Sequence, residues 1–116
     1  MDLSNVVTVV LVALLVWQVS RMFLGKVSPQ KAKELVAEGA RLVDVRTPGE
    51  HKQGHIEGSI NIPVQDLGSR LGEVGDKAKP VVVYCASGAR SASAAGALKR
   101  AGYTVYDLGS IARWPG

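Results

Sequence analysis

Four consecutive residues, Val81-Val82-Val83-Tyr84, restrict this chain more than any other stretch. β-Branched and aromatic side chains without a polar interruption, directly after Pro80, form the pattern of a strand buried on both faces. Cys85, the sole cysteine, follows at the strand's carboxyl edge. Ala86, Ser87, Gly88 and Ala89 then make a loop of small residues closed by Arg90 and Ser91. Farther on, Ala92, Ala94, Ala95, Ala97, Leu98 and Ala101, ending at Gly102, predict a helix packed closely on a sheet. The cysteine therefore stands at the amino-terminal approach to a helix, where unpaired backbone N–H groups point.

Those donors and the positive end of the helix dipole favour an anion over the loop. A thiolate is such an anion. The same field, with Arg90 adding a fixed positive charge, is expected to draw the cysteine pKa down from about 8.5 towards neutrality and make Cys85 nucleophilic. The competing reading is a structural cysteine that ends a core strand. Gly88, Arg90 and the helix that follows favour the reactive one.

Two blocks carry a resemblance. Cys85-Ala-Ser-Gly-Ala-Arg90-Ser91, with Asp44-Val-Arg46-Thr-Pro-Gly-Glu50-His-Lys-Gln-Gly-His55-Ile-Glu-Gly-Ser-Ile-Asn61-Ile-Pro63 before it, resembles the rhodanese-like sulfurtransferase family from about Val27 to Trp114. The resemblance implies an α/β, three-layer fold with a small, mainly parallel sheet flanked by helices. It implies a Cys85 persulfide as the carrier of sulfane sulfur, with Arg90 and the loop Ala86, Ser87, Gly88, Ala89 and Ser91 around it. The implied donor is a small anion such as thiosulfate. A thiol or protein cysteine would be the acceptor, and cyanide the laboratory one. No metal or organic cofactor is implied.

Related phosphatases and arsenate reductases, as families, place five residues between cysteine and arginine, whereas Cys85 and Arg90 enclose four. That shorter loop favours sulfur over a tetrahedral oxyanion. Two further rivals are a membrane-tethered binding module with an incidental thiol, and a persulfide relay with little activity on free thiosulfate. Ser87 and Ser91 can donate to a bound sulfur oxyanion.

Outside the loop, Asp44 can tie down loop amides and Arg46 can pair with Glu50 across the turn. The resemblance makes Asp44, Arg46, Glu50 and His55 structural supports. A general-base role for His55 is the alternative. His51 is expected to be exposed, and Asn61 to reach towards the loop.

Composition sets the outer limits. The chain has 116 residues, enough for one small domain, and 47% of them are hydrophobic. A net charge of +4, without a basic block or aromatic interleaving, argues against nucleic acid as a partner. One cysteine allows no internal disulfide, and with two histidines it makes no closed zinc site. A free reactive thiol suits a reducing compartment.

Leu3 to Ser20 carries no charge, which is the pattern of a membrane-spanning helix needing about 20 apolar residues. Met22-Phe23-Leu24 extend the run, while Trp17 and Arg21 fit an interfacial anchor. A secretory signal peptide is the rival, but Asp2 stands where a basic start is expected and no small-residue cleavage site is evident. Residues 1–25 are thus read as a single-pass anchor with a short linker and residues 26–116 as the domain. Arg21, Lys26, Lys31 and Lys33 on the carboxyl side place that domain on the cytoplasmic face.

Within the domain, Ser28-Pro29 starts a short helix through Ala32, Leu35 and Val36 that stops at Gly39. Strands are expected over 41–46, 59–62 and 103–106, a helical turn over 50–53, and a weak helix over 64–74. Strands alternating with helices predict a parallel layer with chemistry at the carboxyl ends. Gly109 to Trp114 resembles the family's closing segment. The short stretch after it predicts a shallow, exposed pocket around Cys85.

Overall fold

The computed structural model describes residues 2–116, and the side chains of all of these except 19–24. Among the described residues, one sheet holds β1 (Arg41–Asp44), β2 (Ile60–Asn61), β3 (Val81–Cys85) and β4 (Val105–Ser110) in the order β2-β1-β3-β4. Every pairing is parallel. The residues between strands provide the crossovers: α3 (Pro48–Gln53), a 3-10 turn at Val64–Ser69 with α4 (Leu71–Val74), and α5 (Ala89–Arg100). The α/β layering expected from the sequence is present.

The strand β3 is central, and all five of its residues are buried. Its alternation divides the core. Val81, Val83 and Cys85 pack with Ala94, Ala95 and Leu98 of α5, whereas Val82 and Tyr84 pack with Ala32 and Leu35 of α2 (Pro29–Ala37). Helices on both faces bury both rows of the strand, which is why an uninterrupted apolar run is stable there. The α2 helix starts as the sequence predicts, with the Ser28 hydroxyl accepting from Lys31 N at 3.1 Å and Pro29 in the first turn.

Several boundaries differ from expectation. The strand expected over 41–46 ends at Asp44. The helix over 64–74 is two short pieces, and Arg70 between them leaves helical geometry at φ −121°. Gly68 and Gly72 remove the propensity that would fuse them. The expected strand at 59–62 contracts to Ile60–Asn61. The closing strand begins at Val105 rather than Tyr103 and extends to Ser110. Its register against β3 moves from Val83 opposite Asp107 to Tyr84 opposite Gly109, so Leu108 is an inserted residue. Gly109 follows it at φ +86°, a left-handed conformation suited to glycine.

At the amino end, α1 runs Leu3–Leu24, and its large apolar side chains from Leu3 to Trp17 are exposed. No helix among the described residues is long and apolar enough to cross a membrane. The side chains of Arg21, Met22, Phe23 and Leu24, on which the anchor reading also drew, lie outside the described residues. Just after α1, Lys26 forms an isolated parallel bridge with Asp107, and Val27 N donates to Asp107 O at 2.8 Å. The chain is thereby fastened to the outer edge of β4.

Candidate active site

Cys85 ends β3, and Gly88 begins the turn into α5 with φ +109°. That left-handed residue swings the loop back over the sulfur, so that Gly88 N donates to Cys85 Sγ at 2.9 Å. A β-carbon at Gly88 would find only ordinary contacts at 3.9 Å with Gly109 and Lys26. The glycine is required by conformation rather than by crowding.

Burial is the largest influence on the Cys85 thiol and opposes its ionisation. Hydrogen bonds from the Ser91 hydroxyl and from the backbone N–H groups of Ser91, Gly88 and Ser87 act the other way and prevail, leaving the pKa below its ordinary value. The Ser91 hydroxyl also reaches Gly88 O at 3.1 Å. One hydroxyl proton serves either the sulfur or that carbonyl at a given moment.

The exposed pocket expected around Cys85 is not observed. Cys85 has no exposed surface, because the loop and α5 fold over it. An open pocket of about 500 Å³ lies instead against His55, Ile56, Glu57, Ile111, Trp114 and Gly116. Ile56, Ile111 and Trp114 belong to the α2 side of the sheet, opposite the face on which Cys85 packs.

Arg90 and Glu50 form the next shell. Arg90 Nη1 and Nη2 donate to Glu50 Oε1 and Oε2 at 2.7 and 3.0 Å. The same carboxylate accepts from Thr47 N at 3.0 Å, and the Thr47 hydroxyl accepts from Glu50 N at 3.2 Å, making a reciprocal cap on α3. Arg90 and the Thr47 amide together hold the Glu50 pKa down to about 2. Arg90 feels the Cys85 charge, but the principal donors to the sulfur are the Ser91 hydroxyl and the loop amides. The fixed charge that the sequence suggested as a main support of the thiolate is thus largely matched by Glu50.

The pairing of Arg46 with Glu50 expected across the turn is not made. Arg46 turns inward, with Nε and Nη2 donating to Asp44 Oδ1 and Oδ2 at 2.9 and 2.7 Å, and Nη2 also to Gly54 O. Asp44 is completely buried and does tie down a loop amide, accepting from Arg46 N at 2.9 Å. Burial raises its pKa most, yet the bonds from Arg46 and His51 hold it below the ordinary value. His51, expected to be exposed, is half-buried with Nδ1 2.9 Å from Asp44 Oδ2. His55 is exposed, stacks on His51 at 3.8 Å, and its Nδ1 lies 2.8 Å from His51 O. These contacts support the turn rather than the sulfur. Asn61 reaches the same turn, donating to Asp44 O and Arg46 O.

Two contributors escaped the sequence reading. The Tyr84 hydroxyl accepts from Ile56 N at 3.1 Å and donates to Asp44 Oδ2 at 3.1 Å, tying β3 to the turn after α3. Its place in an apolar run concealed that role. In the sequence Lys26 stands out only as a charge beside the leader. Its ammonium lies 2.6 Å from Asp107 Oδ2 and 3.4 Å from Gly88 O, with a side chain 19% exposed.

Comparison with known proteins matches this geometry to one family. The sequence pattern described as Rhodanese-like domain matches residues 28–115. The uncharacterized protein YqhL of Bacillus subtilis is 43% identical over 79 residues, covering 66% of this chain and 62% of its own. The chain thus spans about three-fifths of that relative's length. Thiosulfate sulfurtransferase PspE of Escherichia coli is 41% identical over 71 residues, covering 60% of this chain and 68% of its own. The human single-domain sulfurtransferase TSTD1 superposes with a TM-score of 0.65 at 32% identity, covering 78% of this chain and 94% of that structure. With the pattern spanning the whole sheet and the Cys85 loop, the chain belongs to the rhodanese-like domain family.

Proposed function

We propose that this protein moves sulfane sulfur from an anionic donor such as thiosulfate to a thiol acceptor, with Cys85 as the carrier. The observation that carries the proposal is the bond from Gly88 N to Cys85 Sγ at 2.9 Å. With the Ser91 hydroxyl and the neighbouring amides, it stabilises an anionic sulfur despite complete burial. The Cys85 thiolate attacks the outer sulfur of thiosulfate. A Cys85 S–S bond forms, the donor's own S–S bond breaks, and its electron pair leaves on sulfite. The negative charge remaining on the persulfide occupies the same ring of N–H donors.

An acceptor thiolate, or cyanide in the laboratory, then takes the terminal sulfur and returns the electron pair to Cys85. Arg90, which spends Nη1 and Nη2 bonds on Glu50, keeps further N–H groups that would draw the donor to the loop. We infer further that residues 3–24 anchor the chain in a membrane with the domain on the cytoplasmic side. The uncharged run from Leu3 and the basic residues that follow it support this reading.

Anaerobic incubation with thiosulfate followed by intact mass measurement tests the chemistry. The wild type gains one sulfur and Cys85→Ser gains none; a wild type that accepts sulfur from no donor tried overturns the proposal. Phosphate-ester hydrolysis measured in parallel separates it from the phosphatase reading. Protease digestion in sealed vesicles tests the anchor, and digestion of the domain from the non-cytoplasmic face reverses the orientation.

A further inference from the structure

Lys26 comes to the sulfur loop from 62 residues away. Its backbone bridges Asp107 at the sheet edge, and its ammonium is pinned on Asp107 Oδ2 at 2.6 Å. Asp107 is itself held by Gly109 N, which donates to Oδ1 at 2.8 Å. The stem passes over the two left-handed glycines, its Cδ standing 3.4 Å from a β-carbon at Gly109 and its Cε 3.9 Å from one at Gly88. The head group therefore has a defined place beside Gly88 O, at 3.4 Å.

Gly88 O has three claimants. Ala92 N donates to it at 3.1 Å as the first bond of α5, Ser91 Oγ at 3.1 Å, and Lys26 from outside the helix. A carbonyl has two lone pairs. When the Ser91 hydroxyl turns to Cys85, buried Gly88 O keeps Ala92 N but loses the donor to its second lone pair. Lys26 supplies the replacement.

We propose that Lys26 is a positioning residue of the sulfur site: by holding Gly88 O it frees the Ser91 hydroxyl to bond the Cys85 sulfur. Of the charged groups flanking the loop, Arg90 of α5 pairs with Glu50 of α3 and also feels Asp44 of β1, while Asp107 of β4 pairs with Lys26. The inference rests on the reading of Cys85 as a sulfur carrier, but its test does not require sulfur transfer.

The pH dependence of Cys85 alkylation is measured for the wild type, Lys26→Met, Lys26→Arg, Ser91→Ala and the double variant Lys26→Met/Ser91→Ala. Lys26→Met is expected to raise the apparent thiol pKa by up to about one unit, or about tenfold less thiolate near neutral pH. Lys26→Arg restores much of the loss. In the Ser91→Ala background the Lys26 substitution has little further effect, because its route through the hydroxyl is gone. An unchanged profile for Lys26→Met, or an undiminished effect in the Ser91→Ala background, overturns the proposal. Lys26→Met/Asp107→Asn removes both charges of the pair and serves if the single variant folds poorly, with the same expected shift. A wild type that alkylates as a low-pKa thiol but accepts no sulfur refutes the sulfur-carrier reading and leaves the Lys26 result to be judged by the titration alone.

Discussion

Glu50 grips Arg90 through both carboxylate oxygens, at 2.7 and 3.0 Å, so the guanidinium nearest the sulfur loop is matched before any donor arrives. The Cys85 thiolate rests on Ser91 and the loop amides, whereas Arg90 is held chiefly by Glu50; in the proposed reaction Arg90 is the group that draws the donor.

That division separates two substitutions. Arg90→Ala should raise KM for thiosulfate by about tenfold, as expected for losing a charge-assisted bond worth about 1.5 kcal/mol, while shifting the alkylation midpoint of Cys85 little. Ser91→Ala should shift that midpoint upward. Iodoacetamide reaction rates across pH, read beside steady-state kinetics, distinguish the two effects.

Glu50 also makes folding pH-dependent. Its pKa in the folded protein is about 2, below the ordinary glutamate value of 4.5. A depressed acid stabilises the fold fully above its unfolded value and loses that contribution as pH falls towards its folded value. Stability should therefore decline between pH 4.5 and about 2. Glu50→Gln should flatten that part of the acid-unfolding curve, measured by denaturant titration at each pH.

Gly88→Ala should lower the melting temperature although space for the methyl group exists. Placing an L-residue at φ +109° costs about 1–2 kcal/mol. For a domain of this size, each kcal/mol corresponds to about 4–8 °C. Calorimetry on the full chain checks it, and a melting temperature equal to the wild type would mean that the loop relaxes out of this conformation.

Tyr84→Phe keeps the ring in the core and removes the acceptor for Ile56 N and the donor to Asp44. A buried amide left unpaired costs about 1–3 kcal/mol. The expected result is a destabilised protein whose Cys85 still accepts sulfur, because the loop contacts of Cys85 do not pass through the Tyr84 hydroxyl.

What the sequence revealed follows the range of each signal. Pro80 to Gly102 is a local message: an apolar strand, small residues and an alanine-rich helix each dictate their own geometry, and β3 and α5 appear where expected. The turn after β1 was harder. Arg46 and Glu50 stand four apart and look like partners, but the cap formed with Thr47 aims Glu50 outward to Arg90, while buried Asp44 claims Arg46. The contact of Lys26 with Gly88 joins chain segments 62 residues apart. Periodicity has no means of reporting it.

The fastening of Lys26 to the edge of β4 acts as a short leash. Leu24 closes α1 only two residues earlier, so backbone reach alone keeps the end of that helix within about 7 Å of the Lys26 Cα. Were the helix to anchor in a membrane as proposed, this leash would hold the carboxyl ends of the strands close to that surface. A membrane-confined reactant would then search for Cys85 in two dimensions rather than three.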